Sequence, residues 1–98
     1  MPSRRIGFER EALADLRRIH RFLASKSSRA ADGAVATVRD NILLLRDFPE
    51  MGRLFSEKSA TRRELLVPYS RGGYVVLYEL LDGEVHVLAI KHQLEAGY

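Results

Sequence analysis

The side chains that could take part in chemistry are a histidine, a tyrosine and two arginines in the C-terminal half. His92 ends an apolar run; an imidazole there can act as an acid or base near neutral pH, or it can close a sheet edge by a hydrogen bond. Arg62 and Arg63 precede another apolar run, and guanidinium groups suit planar contacts with carboxylate or phosphate. Neighbouring strand residues face opposite sides, so at most one of the pair, with Arg63 favoured, meets a given partner. Tyr78 is either part of such a site or a half-buried strand tyrosine with its hydroxyl at the rim.

Two further residues are candidates for binding. Arg53 follows Gly52 at the predicted end of a helical hairpin, where it either contacts a partner or pins that turn to the sheet. Tyr74 opens the most strand-like stretch of the chain and is a second candidate contact.

Several site classes are excluded by composition and spacing. The chain has no cysteine, so thiolate metal sites and disulfides are excluded, and its three histidines show no metal-ligand spacing. Gly72-Gly73 reads as a turn rather than a phosphate-binding loop. We therefore expect no metal and no cofactor. The 98 residues predict one domain over 1–98. Because we find neither a membrane-spanning apolar run nor a signal segment, we expect a cytoplasmic protein without membrane contact.

The charge distribution is uneven. The net charge is +3, with 16 Lys and Arg against 13 Asp and Glu, and arginine supplies most of the positive charge. The excess falls in the first half of the chain. It indicates either an anionic partner or a solvated helix face.

Hydrophobic periodicity predicts the elements that carry these residues. A short strand with Ile6 and Phe8 precedes a helix from Arg10 to about Lys26, whose outer side is assigned Asp15 and several arginines. A second helix from about Arg29 to Asp47 follows a short link, so the two should form an antiparallel hairpin. Three strands then follow: "RRELLV", broken at Pro68, "GYVVLYELL", and "EVHVLAIKH" after the Asp82-Gly83 hairpin signal. The predicted fold is α+β, in the order β-α-α-β-β-β, with the helical hairpin packed on a mostly antiparallel sheet.

Both faces of the predicted sheet are apolar. In the middle strand Val75 and Leu77 alternate with Tyr74, Val76 and Tyr78. In the last strand, Val85, Val87 and Ala89 are expected on one face and His86, Leu88 and Ile90 on the other. Two helices cover one face only, so the second meets another segment of the chain or a partner.

The order and spacing of four segments resemble the ParE/RelE toxin superfamily of bacterial type II toxin–antitoxin systems, and the resemblance covers nearly the whole chain. The segments are "ALADLRRIHRFLA", "LLLRDFPEMGR", "RRELLVPYSRGGYVVLYEL" and "VHVLAIKHQLEAGY". The resemblance implies a toxin that is neutralised by a cognate antitoxin in a hetero-oligomer, and a role in plasmid stabilization.

The resemblance leaves the target open between two branches. RelE-like members are ribosome-dependent ribonucleases that cleave mRNA in the ribosomal A site, whereas ParE-like members inhibit DNA gyrase. RelE-like members commonly carry a basic residue on the strand that corresponds to "YVVLY", and this chain has none there. The segments "FPEMGR" and "RREL" match the ParE branch more closely. We therefore favour a non-enzymatic gyrase inhibitor. An mRNA endonuclease using Arg63, Tyr78 and His92, or an inactive antitoxin-binding member, is the alternative.

The same resemblance adds two tail residues to the binding candidates. The C-terminal segment of ParE-like proteins is implicated in toxicity, which brings in Glu95 and Tyr98; disorder of this tail is the alternative. The predicted target- or antitoxin-binding set is Arg53, Arg62, Arg63, Tyr74, Tyr78, Glu95 and Tyr98. Acidic residues of a disordered antitoxin segment are expected to meet the arginines of residues 10–29.

Overall fold

Two helices and five strands make up the fold across residues 4–70 and 72–94, which the computed structural model describes. The predicted α+β class, the N-terminal strand and the helical hairpin on a mostly antiparallel sheet are confirmed, and one strand, β2, was not predicted. The elements are β1 (Ile6–Phe8), α1 (Arg10–Ala24), α2 (Ser28–Leu44), β2 (Arg53–Ser56), β3 (Ser59–Tyr69), β4 (Gly72–Leu81) and β5 (Glu84–His92).

The strands form one sheet in the order β1-β5-β4-β3-β2. Strand β1 runs parallel to β5, and the remaining neighbours are antiparallel. The β4–β5 connection is the hairpin predicted from Asp82-Gly83. Both residues have positive φ, 52° and 74°, as a two-residue type I′ turn requires.

The hydrophobic core lies between the hairpin and one sheet face. Helix α2 begins where the Ser27 hydroxyl accepts a hydrogen bond from the Ala30 N–H at 3.2 Å, which confirms the predicted serine cap. Small residues on α1 and α2 allow close packing of the helices. The core side chains include Ala12, Ile19, Ala34, Val38, Ile42, Leu45, Leu65, Val67, Val76, Tyr78, Val85, Val87 and Ile90.

Asp15 is the one buried charged residue among those described, and its predicted position on the outer side of α1 was wrong. It is 4% exposed and accepts hydrogen bonds from the Ile90 backbone N–H at 2.8 Å and from Lys91 Nζ at 3.0 Å. Strand β1 pairs with β5 only as far as Val87. The Asp15 carboxylate therefore satisfies a β5 donor beyond the end of β1, which explains why a charge is tolerated in the interface.

A β-bulge changes the predicted alternation in β5. Leu77 pairs with Ala89 whereas Tyr78 pairs with Val87, so one extra residue, Leu88, is inserted on β5. Beyond the bulge, Ile90 shares the core face with Val87, and Ala89 lies on the opposite face. The predicted grouping of Ala89 with Val85 and Val87 was therefore wrong, since period-2 alternation cannot anticipate a bulge.

Strand β3 is longer than the sequence predicts, because it continues through Pro68 to Tyr69. Pro68 lies opposite Gly73 on β4. A Cβ on Gly73 would clash with the Val67 carbonyl oxygen. Glycine is needed here because the two backbones approach closely.

Candidate functional site

The sheet face turned away from the helices, which we call the outer face, is apolar at its centre. Register places Leu66, Val75, Leu77 and Ala89 on this face. Val75 and Ala89 have little exposed area, while Leu66 is 40% exposed. The expectation that both faces of β4 are apolar is confirmed.

Two arginines of the predicted binding set border this apolar centre, each paired with a carboxylate. Arg53 Nε lies 3.2 Å from Glu64 Oε1, and Arg62 Nε lies 3.4 Å from Glu79 Oε2. Thr61 also donates a hydrogen bond to Glu79 Oε2 at 2.8 Å. Arg53, which follows the turn residue Gly52, therefore bonds a strand of the sheet, as its suggested structural role requires; its role in binding a partner remains a prediction.

The residue that holds the turn is Arg63. Its Nη1 atom donates to the Gly52 carbonyl oxygen at 2.7 Å and to the Glu50 carbonyl oxygen at 3.3 Å. Tyr78 holds the same turn from β4: its hydroxyl donates to the Pro49 carbonyl oxygen at 2.7 Å and accepts from the Gly52 N–H at 2.9 Å. We call residues 49–52 the tethered loop.

Tyr78 is fully buried, with 0% exposure, and does not lie at the rim as the sequence suggested. Burial raises the pKa of its phenol, although the hydrogen bond from Gly52 opposes that rise. A contact between Tyr78 and a partner would require the tethered loop to move. The predicted roles of Tyr78 and Arg63 in binding or catalysis remain predictions.

An open groove of about 680 Å³ lies at the other end of β4, between the helices and the β3–β4 turn. We call it the hairpin groove. Tyr74 lines it and is 5% exposed, whereas Phe22 at its border is 63% exposed. Tyr69 fixes one wall, since its hydroxyl donates to the Ala30 carbonyl oxygen at 3.1 Å. The lining residues are mostly apolar and include Arg18, Ile19, Phe22, Leu23, Tyr69, Tyr74, His92 and Leu94.

His92 lies in the hairpin groove. Its ring stands edge-on to Tyr74 with ring centroids 5.6 Å apart, and its Nδ1 accepts a hydrogen bond from the Leu94 N–H at 3.2 Å. Tyr74 pairs with His92, and Arg63 pairs with Tyr78. The two pairs are four residues apart on β4, roughly 13 Å at the rise of a strand. The structure thus does not bring His92 together with Arg63 and Tyr78.

The exposed side of α1 carries a row of arginines, which we call the basic ridge. Arg10, Arg17 and Arg21 are exposed as predicted and recur at a spacing that aligns them along the helix. A shallow groove of about 410 Å³ adjoins Arg17 and Arg21 and has Leu16 and Val35 in its lining. The ridge combines positive charge with apolar surface.

Some residues that line these surfaces were not in the predicted binding set, and two residues of that set lie outside the part of the chain that the structure describes. Arg18, Phe22 and Leu94 line the hairpin groove but were not predicted as site residues. The position of Phe22 beside the apolar stripe of α1 was the available signal. Glu95 and Tyr98 lie outside the described residues. No cluster of three or more potential metal ligands occurs in residues 4–70 and 72–94.

Known proteins resemble the chain along most of its length. Residues 6–97 match the family described as the ParE toxin of type II toxin–antitoxin system, parDE. Two relatives come from Caulobacter vibrioides. "Toxin RelE3" is 32% identical over 86% of this chain and 88% of its own length. "Toxin RelE2" is 37% identical over 83% of this chain and 85% of its own length.

Solved structures share the fold. The chain matches one from the chromosomal ParDE system of P. aeruginosa with a TM-score of 0.75 and 19% identity, covering 92% of this chain and 96% of that one. A mutant of E. coli toxin RelE in the free state matches with a TM-score of 0.68 and 18% identity, covering 99% of this chain and 88% of that one. Neither described helix is long and apolar enough to cross a membrane. With its sequence matched from residue 6 to residue 97, the chain belongs to the ParE toxin family of type II toxin–antitoxin systems.

Proposed function

We propose that this chain is a toxin that inhibits DNA gyrase by binding it, and that a cognate antitoxin neutralises the toxin. The observation that carries the proposal is the apolar centre of β4, where Val75, Val76 and Leu77 occupy the stretch on which RelE-like nucleases commonly carry a basic residue. On the outer face beside it, Arg53 and Arg62 are already paired with carboxylates. These features argue against stabilisation of a scissile phosphate at this place. Leu66, which is 40% exposed beside them, offers apolar surface for contact with a protein.

An mRNA endonuclease is the second candidate, because the curated relatives are named RelE. Cleavage through the 2′-hydroxyl needs an acid or base within hydrogen-bond reach of the reacting group, together with positive charge at the phosphate. His92 lies in the hairpin groove, whereas Arg63 is bonded to the tethered loop. The separation of these groups makes this function the weaker candidate.

The antitoxin surface that we propose joins the hairpin groove, the basic ridge and the outer face. A segment that folds on binding can place apolar side chains in the groove beside Phe22 and Tyr74. Acidic residues of the same segment would meet Arg17 and Arg21, since charge complementarity increases the rate of association. The neighbouring reading frame is expected to encode such an acidic protein.

Purified toxin in a gyrase supercoiling assay tests the proposal, with a ribosome-dependent mRNA cleavage assay in parallel. We expect loss of supercoiling, accumulation of cleaved DNA and intact mRNA, and recovery of supercoiling when the antitoxin is added. Cuts in mRNA at the ribosomal A site with normal supercoiling would establish the nuclease instead. Inactivity in both assays with tight antitoxin binding would identify an inactive antitoxin-binding member.

A further inference from the structure

An exposed apolar strip follows the end of α2, the tethered loop and β2. It consists of Leu44, Phe48, Met51, Leu54 and Phe55, each between 42% and 61% exposed, and we call it the edge strip. The Phe48 N–H bonds the Leu44 carbonyl oxygen, and the Met51 N–H bonds that of Phe48. Spacings of four and three residues bring Leu44, Phe48 and Met51 toward one side. Leu54 and Phe55 are neighbours on β2 and therefore lie on opposite faces of the sheet edge. Exposed apolar surface of this extent marks an interaction site.

The strip includes an edge strand. Among the described strands, β2 is the last of the sheet and pairs with β3 alone, so its other side presents backbone groups that can extend the sheet. The backbone beneath the strip is held in place, because Arg63 and Tyr78 bond the tethered loop. A surface fixed before binding loses less conformational entropy when it associates.

The charges around the strip favour a second copy of the chain. Residues 43–58 contain three positive and three negative side chains, in contrast to the basic ridge: Arg46, Arg53, Lys58, Asp47, Glu50 and Glu57. If β2 pairs antiparallel with its copy about a two-fold axis at Phe55, Arg53 lies near Glu57 of the copy, the first residue after that strand, twice over. Arg53 would then contact this carboxylate as well as Glu64 of its own chain. A strongly acidic or basic partner would find no such match.

We infer that the chain forms a two-fold symmetric homodimer through the edge strip, with the two β2 strands paired at Phe55. A stable interface buries about 800 Å² on each partner. Phe55 would lie at its centre, and the other apolar side chains of the strip would flank the paired strands. The hairpin groove lies at the opposite end of β4 from the tethered loop, so a dimer leaves it open for a separate partner.

Sedimentation equilibrium of the purified full chain, without target or antitoxin, tests the dimer. Wild type should approach twice the 11.1 kDa chain mass as concentration rises. Phe55→Glu, which would oppose two carboxylates at the axis, should sediment as a monomer while its circular dichroism stays native. Phe22→Glu is the matched control, since it alters another exposed phenylalanine at the other end of the molecule, and it should dimerise like wild type. A monomeric wild type, or dimerisation of Phe55→Glu equal to wild type, would overturn the inference.

Charge reversal tests the register. Glu57→Arg and Arg53→Glu should each weaken self-association roughly tenfold, because like charges then face each other. An equimolar mixture should recover the wild-type dimer, since each copy supplies the complement of the other. If the mixture associates no better than the single variants, the predicted pairing is wrong.

Cross-linking gives a measurement that does not depend on weakening the interface. The chain has no native cysteine, so Phe55→Cys introduces one thiol per copy at the two-fold axis. Mild oxidation should yield a disulfide-linked dimer from Phe55→Cys and much less from Phe22→Cys. Equal yields from the two variants would count against the edge strip as the interface.

Discussion

The two ends of β4 carry tyrosines on the same sheet face with opposite surroundings. Tyr78 is fully buried, and its hydroxyl both donates to and accepts from the tethered loop. Tyr74, four residues earlier, contacts the edge of the His92 ring and lines an open groove. At one end the polar groups of the sheet are used to fix a loop. At the other, aromatic side chains form the wall of a cavity.

The difference follows from the backbone groups that need hydrogen-bond partners at each end of β4. The chain leaves α2 at Leu44 and turns to enter β2, which brings loop backbone groups over the sheet, and buried backbone groups need partners. Arg63 and Tyr78 supply those partners. At the other end the link between the helices is exposed, and Phe22 at the border of the groove is 63% exposed. Tyr78 and Arg63 therefore have a structural role at the tethered loop, and the hairpin groove is the end that we propose for binding.

Substitutions of glycine should give the largest difference in stability between the two ends of β4. A Cβ on Gly52 would lie 2.7 Å from both the Glu64 carbonyl oxygen and the Tyr78 hydroxyl, whereas a Cβ on Gly72 meets nothing nearer than His92 Nε2 at 3.4 Å. We expect Gly52→Ala to lower the free energy of unfolding by about 3 kcal/mol or more, as overpacking and a broken hydrogen-bond network combine. Gly72→Ala should change it by less than about 1 kcal/mol. Urea unfolding measures both, and equal losses would remove the distinction.

Removal of a tyrosine hydroxyl should also destabilise the end with the tethered loop more than the end with the groove, by a smaller amount than the glycine substitutions. Tyr78→Phe leaves the Pro49 carbonyl and the Gly52 N–H without their partner, and we expect a loss of about 2–3 kcal/mol. Tyr69→Phe removes a single part-buried bond to Ala30 and should cost about 1 kcal/mol. Thermal and urea unfolding of the two variants provide the comparison. A Tyr69→Phe variant as unstable as Tyr78→Phe would show that the groove wall is held as firmly as the tethered loop.

Local patterns were sufficient to predict most of the fold. The apolar stripe of α1, the serine before α2 and the Asp82-Gly83 turn each act through nearby residues, so the sequence carries their signal directly. Asp15 was misplaced because its polar type suggests solvent, while its partners on β5 are 75 and 76 residues away. The bulge at Leu88 was missed for a related reason, since it depends on the register between strands.

The candidate site was harder to predict than the fold. Arg53 and Arg63 are both arginines near a predicted turn, and only the pairing of β2 with β3 decides that Arg63 reaches the loop while Arg53 reaches Glu64. The hairpin groove gathers residues from α1, the β3–β4 turn and the end of β5. No short sequence window contains that combination. The apolar stripe of α1 was a signal for Phe22, whereas Arg18 could be identified as a lining residue only from the structure.

Alkaline pH should destabilise the fold through two groups whose pKa values are raised. Burial raises the pKa of Tyr78, so above about pH 10 the unfolded phenol ionises while the folded one still holds its proton, and stability falls as pH increases. A hydrogen bond to Asp15 raises the pKa of Lys91. Its contribution is complete below the ordinary lysine pKa and is lost as pH rises through the higher folded value.

Melting temperatures between pH 8 and pH 11 should therefore decline toward the alkaline end. Tyr78→Phe should make the decline shallower because it removes the buried phenol, and Lys91→Met should make it shallower because it removes the amine that is bonded to Asp15. An unchanged slope in Tyr78→Phe would mean that burial does not keep the phenol protonated.

The smallest effect on stability is expected for a substitution in the hairpin groove, which should lower the affinity for the antitoxin instead. Phe22 is 63% exposed, so Phe22→Ala should change the free energy of unfolding by no more than about 0.5 kcal/mol. If the groove receives an apolar side chain of the antitoxin, the same substitution should weaken antitoxin binding about tenfold or more, because aromatic anchors dominate such contacts. Calorimetric titration measures the affinity, and Leu43→Ala, at an exposed leucine on α2 outside the groove, is the matched control. Equal affinities for the two variants would show that the antitoxin does not use the groove, whereas a large loss of stability in Phe22→Ala would mean that this end is packed like the other.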